Sequence, residues 1–288
     1  MSEPNRSMTG KVCLVTGATS GIGEITAKAL ARQGATLTIV GRSQERCGAT
    51  LERIRQAVPH ADVEAILADL SSQEAIRTLE AQFRERHGRL DLLLNNAGAV
   101  YFERRESVDG IELTFALNHL AYFSLTNRLL DLLKASAPSR VVNVASDAHR
   151  YAGKIDFDDL EGRRRYGGLH AYAQSKLANL LFTFELARRL EGTPVTVNAL
   201  HPGFVSTNIF AGNGVPGWLM RRGAALIAIS PEQGAQTSIY LASSPEVAHV
   251  SGRYFYRQRP IPSSAASQNQ EAARTLWERS AAMTGLSG

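Results

Sequence analysis

The chain has 288 residues, of which 44% are hydrophobic and 20% charged, and its formal net charge is +5 at pH 7. This composition is typical of a folded globular protein and excludes a disordered or low-complexity chain. It contains no apolar run long enough to span a membrane, no apolar signal core in residues 1–9, and no zinc-finger or aromatic RNA-binding motif to accompany the positive charge.

Apolar runs alternate with amphipathic stretches along the chain. Runs rich in Val, Ile and Leu predict strands at 11–16, 35–41, 62–68, 90–96, 140–146 and 195–201, and "GRYFY" predicts a last short strand at 252–256. Helical spacing predicts helices at 21–33, 43–57, 71–87, 108–135, 170–191 and 231–243. The alternation indicates an α/β fold with one doubly wound parallel sheet of about seven strands and helices on both faces. Since no linker is visible, we predict one domain over residues 10–288, after a flexible leader at 1–9.

Two segments that follow strands, 147–169 and 204–230, are too long to be simple connectors. The second contains Trp218, Leu219 and Met220, and we expect it to form a substrate lid over an apolar pocket. A plain packed helix is the alternative, and the same apolar stripe could also rest on a membrane surface.

The cysteines and histidines show no metal-ligand spacing, so we predict no metal site. Cys13 and Cys47 are expected to fill buried or half-buried sites as free thiols, which fits a reducing, cytoplasmic location. His149 and His170 lie near the predicted substrate mouth. They could contact substrate, but a surface or loop-capping role is the interpretation we favour.

The stretch "TGATSGIG", residues 16–23, follows the first predicted strand and opens the first helix. Glycines at 17, 21 and 23 permit a tight turn and a close approach of the backbone to a pyrophosphate. The helix that follows directs its free N–H groups at the phosphates. A tight turn without a ligand is the alternative, but the position in the first strand–helix unit favours a dinucleotide.

Four polar residues predict acid–base chemistry. Tyr172 and Lys176 are four residues apart, so on a helix they lie on the same face. A nearby ammonium favours phenolate and is expected to lower the pKa of the tyrosine towards the working pH. Ser146, at the end of the fifth strand, can hold a substrate oxygen beside the phenol. Asn118 lies in a predicted helix, where a polar side chain is costly unless it is bonded.

Together these motifs resemble those of the short-chain dehydrogenase/reductase family, in the family's order and over nearly the whole chain. The matches are "TGATSGIG", Asp69, "NNAG" at 95–98, Asn118, Ser146, Tyr172-x-x-x-Lys176 and Pro202–Gly203. Within the family, the sequence looks most like retinol dehydrogenases and related reductases. The resemblance implies a Rossmann-type sheet and hydride transfer between a nicotinamide cofactor and a carbonyl or alcohol, with Tyr172, Lys176, Ser146 and Asn118 as the catalytic set.

The resemblance also implies where the cofactor binds. The residues it assigns are Gly17, Thr19, Ser20, Gly21, Ile22, Gly23, Arg42, Asp69, Leu70, Asn96, Ala97, Gly98, Tyr172, Lys176, Pro202, Gly203, Val205 and Thr207. In the family, the lysine binds the nicotinamide ribose and the asparagine anchors a water that passes protons to it. Asp69 is expected to accept the adenine amino group, with a turn-capping role as the alternative. Asn95 is expected to tie strands together.

The residues after the second strand favour NADP(H). An acid there would select NAD, whereas this chain has Gly41 and Arg42. Gly41 is expected to leave room for a 2′-phosphate, and Arg42 offers a planar set of donors, with Ser43 as a further donor. If Arg42 only stacks on the adenine, NAD(H) would be accepted as well.

The predicted function is therefore NADP(H)-dependent oxidation or reduction of a small, hydrophobic carbonyl or alcohol, with no nucleic-acid partner. A light-dependent porphyrin reductase shares the Tyr and Lys, and a cofactor-sensing binding protein that has lost catalysis is a further alternative. The intact catalytic set argues against the latter. Family members often dimerise through helices that correspond to 108–135 and 170–191, so a homodimer or homotetramer is expected.

Overall fold

The computed structural model describes residues 6–205 and 229–286. Its strands are β1 Val12–Thr16, β2 Thr36–Gly41, β3 Val63–Leu67, β4 Leu92–Asn95, β5 Ser139–Val144, β6 Val195–Leu200, β7 Arg253–Tyr256 and β8 Arg259–Pro260. Its α-helices are α1 Gly21–Arg32, α2 Gln44–Ala57, α3 Gln73–Arg86, α4 Leu113–Phe115, α5 Ala121–Arg128, α6 Leu130–Ala135, α7 Gly168–Arg189, α8 Pro231–Ser243 and α9 Gln270–Thr284. A π-helical turn covers Ala116–Leu120, and 3₁₀ turns cover Asp147–Ala152, Pro245–Val247 and Ala265–Gln268.

The strands form one sheet in the order β3-β2-β1-β4-β5-β6-β7-β8. Every neighbouring pair is parallel except β7 and β8. The predicted doubly wound parallel sheet is confirmed, with eight strands rather than about seven. The added strand, β8, has only two residues and both are exposed, so it has no apolar run that could reveal it.

Helices cover both faces of the sheet and enclose two main cores. One core includes Phe83 of α3, Phe123 of α5 and Phe182 of α7, and the other includes Leu30 of α1 and Ile54 of α2. This arrangement explains why the central strands consist of nearly continuous apolar residues, since each strand must bury both of its faces. In the described ranges, no helix combines the length and the apolar character that crossing a membrane requires.

Three regions add detail to the prediction. The stretch predicted to be mostly helix, 108–135, consists of α4, a π-helical turn, α5 and α6 after a non-helical start. Of the predicted leader, 1–9, the structure describes residues 6–9, where Met8 is buried and its N–H donates to the carbonyl of Gln33 at 3.0 Å. Helix α9 was missed, although its buried residues at 273, 276, 277, 280, 281 and 284 follow helical spacing.

The sheet order creates a crevice at the carboxyl edge. The chain leaves β1 towards β2 on one side, whereas β4, the other neighbour of β1, begins the second half of the sheet. In doubly wound sheets, ligands bind at this switch point, outside the carboxyl ends of the strands. The predicted glycine turn and the "NNAG" stretch follow β1 and β4, so the fold brings both to the switch point.

Candidate active site

The glycine turn at 16–23 is fastened to the end of β4. The Asn96 side-chain amide donates to the carbonyl oxygens of Thr16 at 2.9 Å and Gly17 at 3.1 Å. Gly17 has a φ of +65°, and a Cβ there would lie 2.7 Å from Ala97 Cα. Glycine at 17 therefore satisfies both a left-handed backbone and a close approach of two loops.

The first turn of α1 presents backbone donors without a side-chain cap. Ser20 occupies the N-cap position, but its side chain makes no capping bond; its Oγ instead accepts a hydrogen bond from Arg46 Nη2 at 3.4 Å. Gly21 places no side chain over this turn, while Ile22 is buried. Uncapped N–H groups beside a guanidinium suit a pyrophosphate, so these residues fit the dinucleotide that the turn predicts.

The end of β2 carries two arginines beside the glycine turn. Arg42 directly follows β2 and is exposed, and Arg46 lies in the first turn of α2. The structure gives Gly41 a different role from the predicted one. A Cβ there would lie 2.6 Å from Thr19 Cγ2 and 2.7 Å from Cys47 Sγ, so protein atoms fill the space that was expected to receive a phosphate. The two guanidinium groups remain the candidates for binding a 2′-phosphate.

The segment after β3 is held as a turn. Asp69 Oδ1 accepts hydrogen bonds from the Ser71 backbone N–H at 3.0 Å and from Ser71 Oγ at 2.7 Å, as in the turn-capping alternative. The residue is exposed, and its second carboxylate oxygen is placed to accept a further donor such as an adenine amino group. Leu70 is buried in the core, which gives its side chain a packing role.

The "NNAG" stretch closes the other side of the crevice. Asn95 Nδ2 donates to Thr126 Oγ1 and to Asn143 Oδ1, both at 2.9 Å, so its predicted role in tying elements together is confirmed. The Ala97 N–H donates to Thr16 Oγ1 at 3.1 Å, which joins the ends of β4 and β1. The glycine turn and this stretch thus form one continuous backbone surface.

Tyr172 and Lys176 project from the first two turns of α7. Lys176 is only 3% exposed, and its Nζ donates to the Val144 carbonyl oxygen at 2.9 Å. The same Nζ lies 5.6 Å from the ring centres of both Tyr172 and Tyr122. A Cβ at Gly98 would lie 3.6 Å from it, an ordinary contact, and 3.2 Å from Asn118 Oδ1, so glycine there lets the loop after β4 approach Asn118. The ammonium is therefore held between two aromatic rings and a strand carbonyl.

Burial pushes both members of this pair towards their neutral forms. It raises the pKa of Tyr172 to about 12, against the opposing effect of a hydrogen bond with Ser146, and it lowers the pKa of Lys176 to about 7. The pKa of the tyrosine therefore shifts in the direction opposite to the one expected from the lysine, because desolvation is the largest cause of the shift. Near neutral pH, Tyr172 keeps its proton and Lys176 is close to losing one.

Asn118 lies in the π-helical turn, a rare form that often occurs at functional sites. Its Oδ1 accepts from the Ala99 N–H at 2.9 Å, and its Nδ2 donates to the Ala99 carbonyl at 2.9 Å and to Ser175 Oγ at 3.0 Å. The buried amide is therefore fully bonded. It ties the loop after β4 to α7 one residue before Lys176.

Ser146 lies two residues after β5 and caps the following 3₁₀ turn, where its Oγ accepts from the Ala148 N–H at 3.2 Å. His149 in that turn is buried, and its Nδ1 lies 2.7 Å from the Ser146 carbonyl oxygen. This is the loop-capping role that was favoured for it. His170 is exposed at the start of α7.

The segment after β6 begins with Pro202 and Gly203. Gly203 has a φ of +91°, and a Cβ there would lie 2.9 Å from Ile229 Cδ1. Val205 forms a bridge with the same Ile229. Thr207 and the apolar residues of the predicted lid lie outside the described residues.

Several neighbours of the candidate site were missed in the sequence. They are Arg46, His119, Tyr122 and Asn179. Tyr122 could have been found from its spacing, since it lies four residues after Asn118 on the same predicted helix. Asn179 lies three residues after Lys176, but no local pattern shows that its amide reaches another helix.

Comparison with known proteins agrees with this geometry. The model of the short chain dehydrogenase family matches residues 11–214. The chain is 45% identical to human retinol dehydrogenase 13, covering 96% of this chain and 85% of the relative, and 44% identical to human retinol dehydrogenase 14, covering 97% and 88%. A solved structure from Mycobacterium paratuberculosis is 32% identical, covers 96% of this chain and 94% of its own, and superposes with a TM-score of 0.77.

The fold and the matched relatives define a class, the short-chain dehydrogenases/reductases, and the chain belongs to that family of oxidoreductases. Within the family it falls in the retinol-dehydrogenase-like branch, which confirms the resemblance found in its motifs.

Proposed function

We propose that the chain transfers a hydride between NADP(H) and a hydrophobic carbonyl or alcohol, with Tyr172, Lys176, Ser146 and Asn118 as its catalytic residues. The observation that carries the proposal is the buried Lys176 ammonium, 2.9 Å from the Val144 carbonyl and 5.6 Å from the Tyr172 ring. This group lies at the carboxyl edge of the sheet, beside Gly98. Gly98 belongs to the loop after β4, whose residues Asn96 and Ala97 are hydrogen-bonded to the glycine turn.

In the reductive direction, NADPH held at the glycine turn would supply a hydride for the carbonyl carbon. Tyr172 carries its proton near neutral pH, so it can donate that proton to the developing alkoxide oxygen, and the product is an alcohol. Ser146, which faces the Tyr172 hydroxyl, holds the substrate oxygen. Lys176 has a pKa of about 7 and can return a proton to Tyr172, while Asn118 keeps the loop beside the lysine in place.

The preference for NADP(H) rests on charge at the end of β2. Arg42 is exposed, and no ion pair or hydrogen bond of its guanidinium occurs within 6–205 and 229–286. Arg46 is also exposed and reaches Ser20 on the rim of the glycine turn. Two guanidinium groups there would bind a 2′-phosphate and would not be needed for a ribose hydroxyl.

A hydrophobic substrate is supported by the names of the relatives, which are retinol dehydrogenases, and by apolar side chains near the candidate site. Tyr151, Leu169 and Phe204 are large, exposed apolar residues, and each belongs to a segment that carries a candidate site residue. The cytoplasmic location and the homodimer or homotetramer stay predictions. Helix α9 packs on α7 and α5, so it covers part of the surface predicted for dimer contact.

The test is oxidation of NADPH and NADH by the purified protein with aldehydes and ketones of graded size, in light and in darkness. We expect turnover in darkness, a preference for NADPH, and higher kcat/KM for the larger apolar substrates. Arg42→Ala should reduce kcat/KM for NADPH about tenfold and leave that for NADH nearly unchanged, since a charge-assisted hydrogen bond is lost.

Tyr172→Phe tests the acid–base role. It should lower kcat by about 10²–10⁴ and leave NADPH affinity within a few-fold, because the ring still packs and only the proton is lost. Tyr240→Phe removes a hydroxyl that donates to Glu246, outside the candidate site, and serves as the matched control. A wild type that binds NADPH but reduces no carbonyl would favour the cofactor-sensing alternative, and one that prefers NADH would contradict the cofactor assignment.

A further inference from the structure

Two buried histidines connect the C-terminal segment, residues 261–286, to backbone beside two candidate catalytic residues. His119 directly follows Asn118, and His149 lies three residues after Ser146. Neither side chain is exposed, and neither belongs to the catalytic set proposed above. A buried imidazole needs partners for both of its nitrogens, and in each case one partner comes from the C-terminal segment.

The geometry around His149 selects one tautomer. Its Nδ1 lies 2.7 Å from the Ser146 carbonyl oxygen, and its Nε2 lies 3.1 Å from the backbone N of Ser264. A carbonyl only accepts and a backbone N–H only donates, so Nδ1 carries the proton and Nε2 accepts. A second proton on Nε2 would face the Ser264 N–H and break that bond.

The same logic applies to His119. Asn179 Nδ2 donates to the Asn118 carbonyl oxygen at 2.9 Å, which turns Asn179 Oδ1 towards His119 Nδ1, 3.3 Å away. Nδ1 is therefore the donor, and Nε2 accepts from Ser280 Oγ at 2.9 Å. Burial lowers the pKa of His119 to about 4, so the neutral form is retained at neutral pH.

The C-terminal segment packs against α5 and α7, so its hydrogen bonds to the two histidines can restrain their positions. The Trp277 ring of α9 lies 5.0 Å from the Phe123 ring and 5.8 Å from the Phe182 ring. The Arg189 guanidinium lies 4.0 Å from the centre of the same indole. These contacts fix α9 against the helix that carries Tyr172 and Lys176.

We propose that His119 and His149 are positioning residues through which the C-terminal segment holds Asn118 and Ser146 in their working geometry. Each imidazole acts as a clamp between the C-terminal segment and the site. His149 joins residue 264 to the Ser146 carbonyl, and His119 joins residue 280 to the Asn179 amide, which itself donates to the Asn118 carbonyl. The inference deepens the proposed function and rests on it only for the activity measurements. Loss of either clamp lets the catalytic backbone shift, which lowers turnover more than cofactor binding.

Other groups also face His149 and affect its charge. Asp147 and Arg150 lie on its own 3₁₀ turn, His201 follows β6, and the Tyr254 ring of β7 lies 5.3 Å away. Burial lowers the pKa of His149, and the bond to the Ser146 carbonyl opposes this. These groups are the same in the variants compared below, so they do not affect the comparison.

Two substitutions at Ser264 distinguish the effect of its backbone N–H bond to His149 from the effect of its side-chain hydroxyl. Ser264 has a φ of −68°, within the range of proline, so Ser264→Pro deletes the N–H that binds His149 and places the ring carbon Cδ towards the imidazole. Ser264→Ala keeps that N–H and removes only the hydroxyl. We expect the proline variant to lose about tenfold in kcat with KM for the cofactor within about twofold, and the alanine variant to match wild type. Equal kcat in the two variants would overturn the proposal for His149.

Histidine ¹⁵N spectra of the full chain test the proposal without any turnover. Wild type at pH 7 should show both imidazoles neutral and protonated on Nδ1. The pKa of His149 should rise in Ser264→Pro and stay unchanged in Ser264→Ala, and Ser280→Ala should move only the His119 signals. Nε2-protonated or charged imidazoles in wild type would overturn the proposal. If the wild type shows these signals but reduces no carbonyl, the proposed function fails and the clamps stand.

Discussion

Replacement of Lys176 by methionine should stabilise the protein while it abolishes turnover. Lys176 is 3% exposed, and burial lowers its pKa from 10.5 to about 7. Methionine has a similar length and no charge to desolvate, so it removes this penalty. The substitution also removes the hydrogen bond to the Val144 carbonyl and the cation between the two tyrosine rings, which the proposed chemistry requires.

The size of the effect follows from the two pKa values. Each pKa unit corresponds to 1.36 kcal/mol, so the interval from about 7 to 10.5 is worth about 5 kcal/mol. The folded-state pKa lies below that of the unfolded chain, and between these values the unfolded chain binds more protons. The wild type therefore gains stability as pH rises through this window. The difference between Lys176→Met and wild type should shrink by about 4 kcal/mol between pH 6 and pH 10.

Urea unfolding of both proteins at pH 6, 8 and 10 measures this difference, because other titrating groups cancel between them. Loss of the hydrogen bond to the Val144 carbonyl costs about 1–3 kcal/mol. This cost is smaller than the desolvation penalty that is removed, so at pH 6 the variant should be the more stable protein. Lys154→Met, at an exposed lysine, is the matched control. Its difference from wild type in the free energy of unfolding should not change with pH. If the difference in the free energy of unfolding between Lys176→Met and wild type also stays constant with pH, the reasoning is refuted.

Two further substitutions test the packing that supports the site. Gly23→Ala would place a Cβ 2.5 Å from Asn96 Nδ2, so we expect NADPH binding to be more than tenfold weaker in a fluorescence titration. Gly48→Ala is the control: open space surrounds Gly48, so the substitution should be neutral or slightly stabilising. Trp277→Ala should lower the free energy of unfolding by about 3–5 kcal/mol in urea, since it empties an aromatic cluster and removes the partner of Arg189; a loss below 1 kcal/mol would mean that α9 is not firmly docked.

Local sequence patterns were sufficient to predict those parts of the fold that depend on residues close together in the chain. The Val, Ile and Leu runs predicted β1 to β6, because buried parallel strands must be apolar on both faces, and an aromatic stretch predicted β7. The order of strands and helices then placed the glycine turn and residues 95–98 at one edge. The spacing of Tyr172 and Lys176 placed both on one face of α7, since four residues make about one helical turn.

Features that depend on contacts between distant segments could not be predicted in this way. The role of Gly41 depends on Thr19 and Cys47, which reach it from two other elements. The clamp at His149 depends on a backbone N–H that lies 115 residues further along the chain. No pattern within a short window contains such partners.

The sequence by itself determined the alternating fold and the identity and order of the candidate catalytic residues. Only the tertiary structure decided their protonation, because the pKa of Tyr172 rises and that of Lys176 falls through loss of water around both groups. Desolvation is the sum of every atom packed around a group, and those atoms come from β5, α5 and the end of β4 as well as from α7. The physical reason is that spacing along a helix is a local property, whereas the exclusion of water belongs to the whole fold.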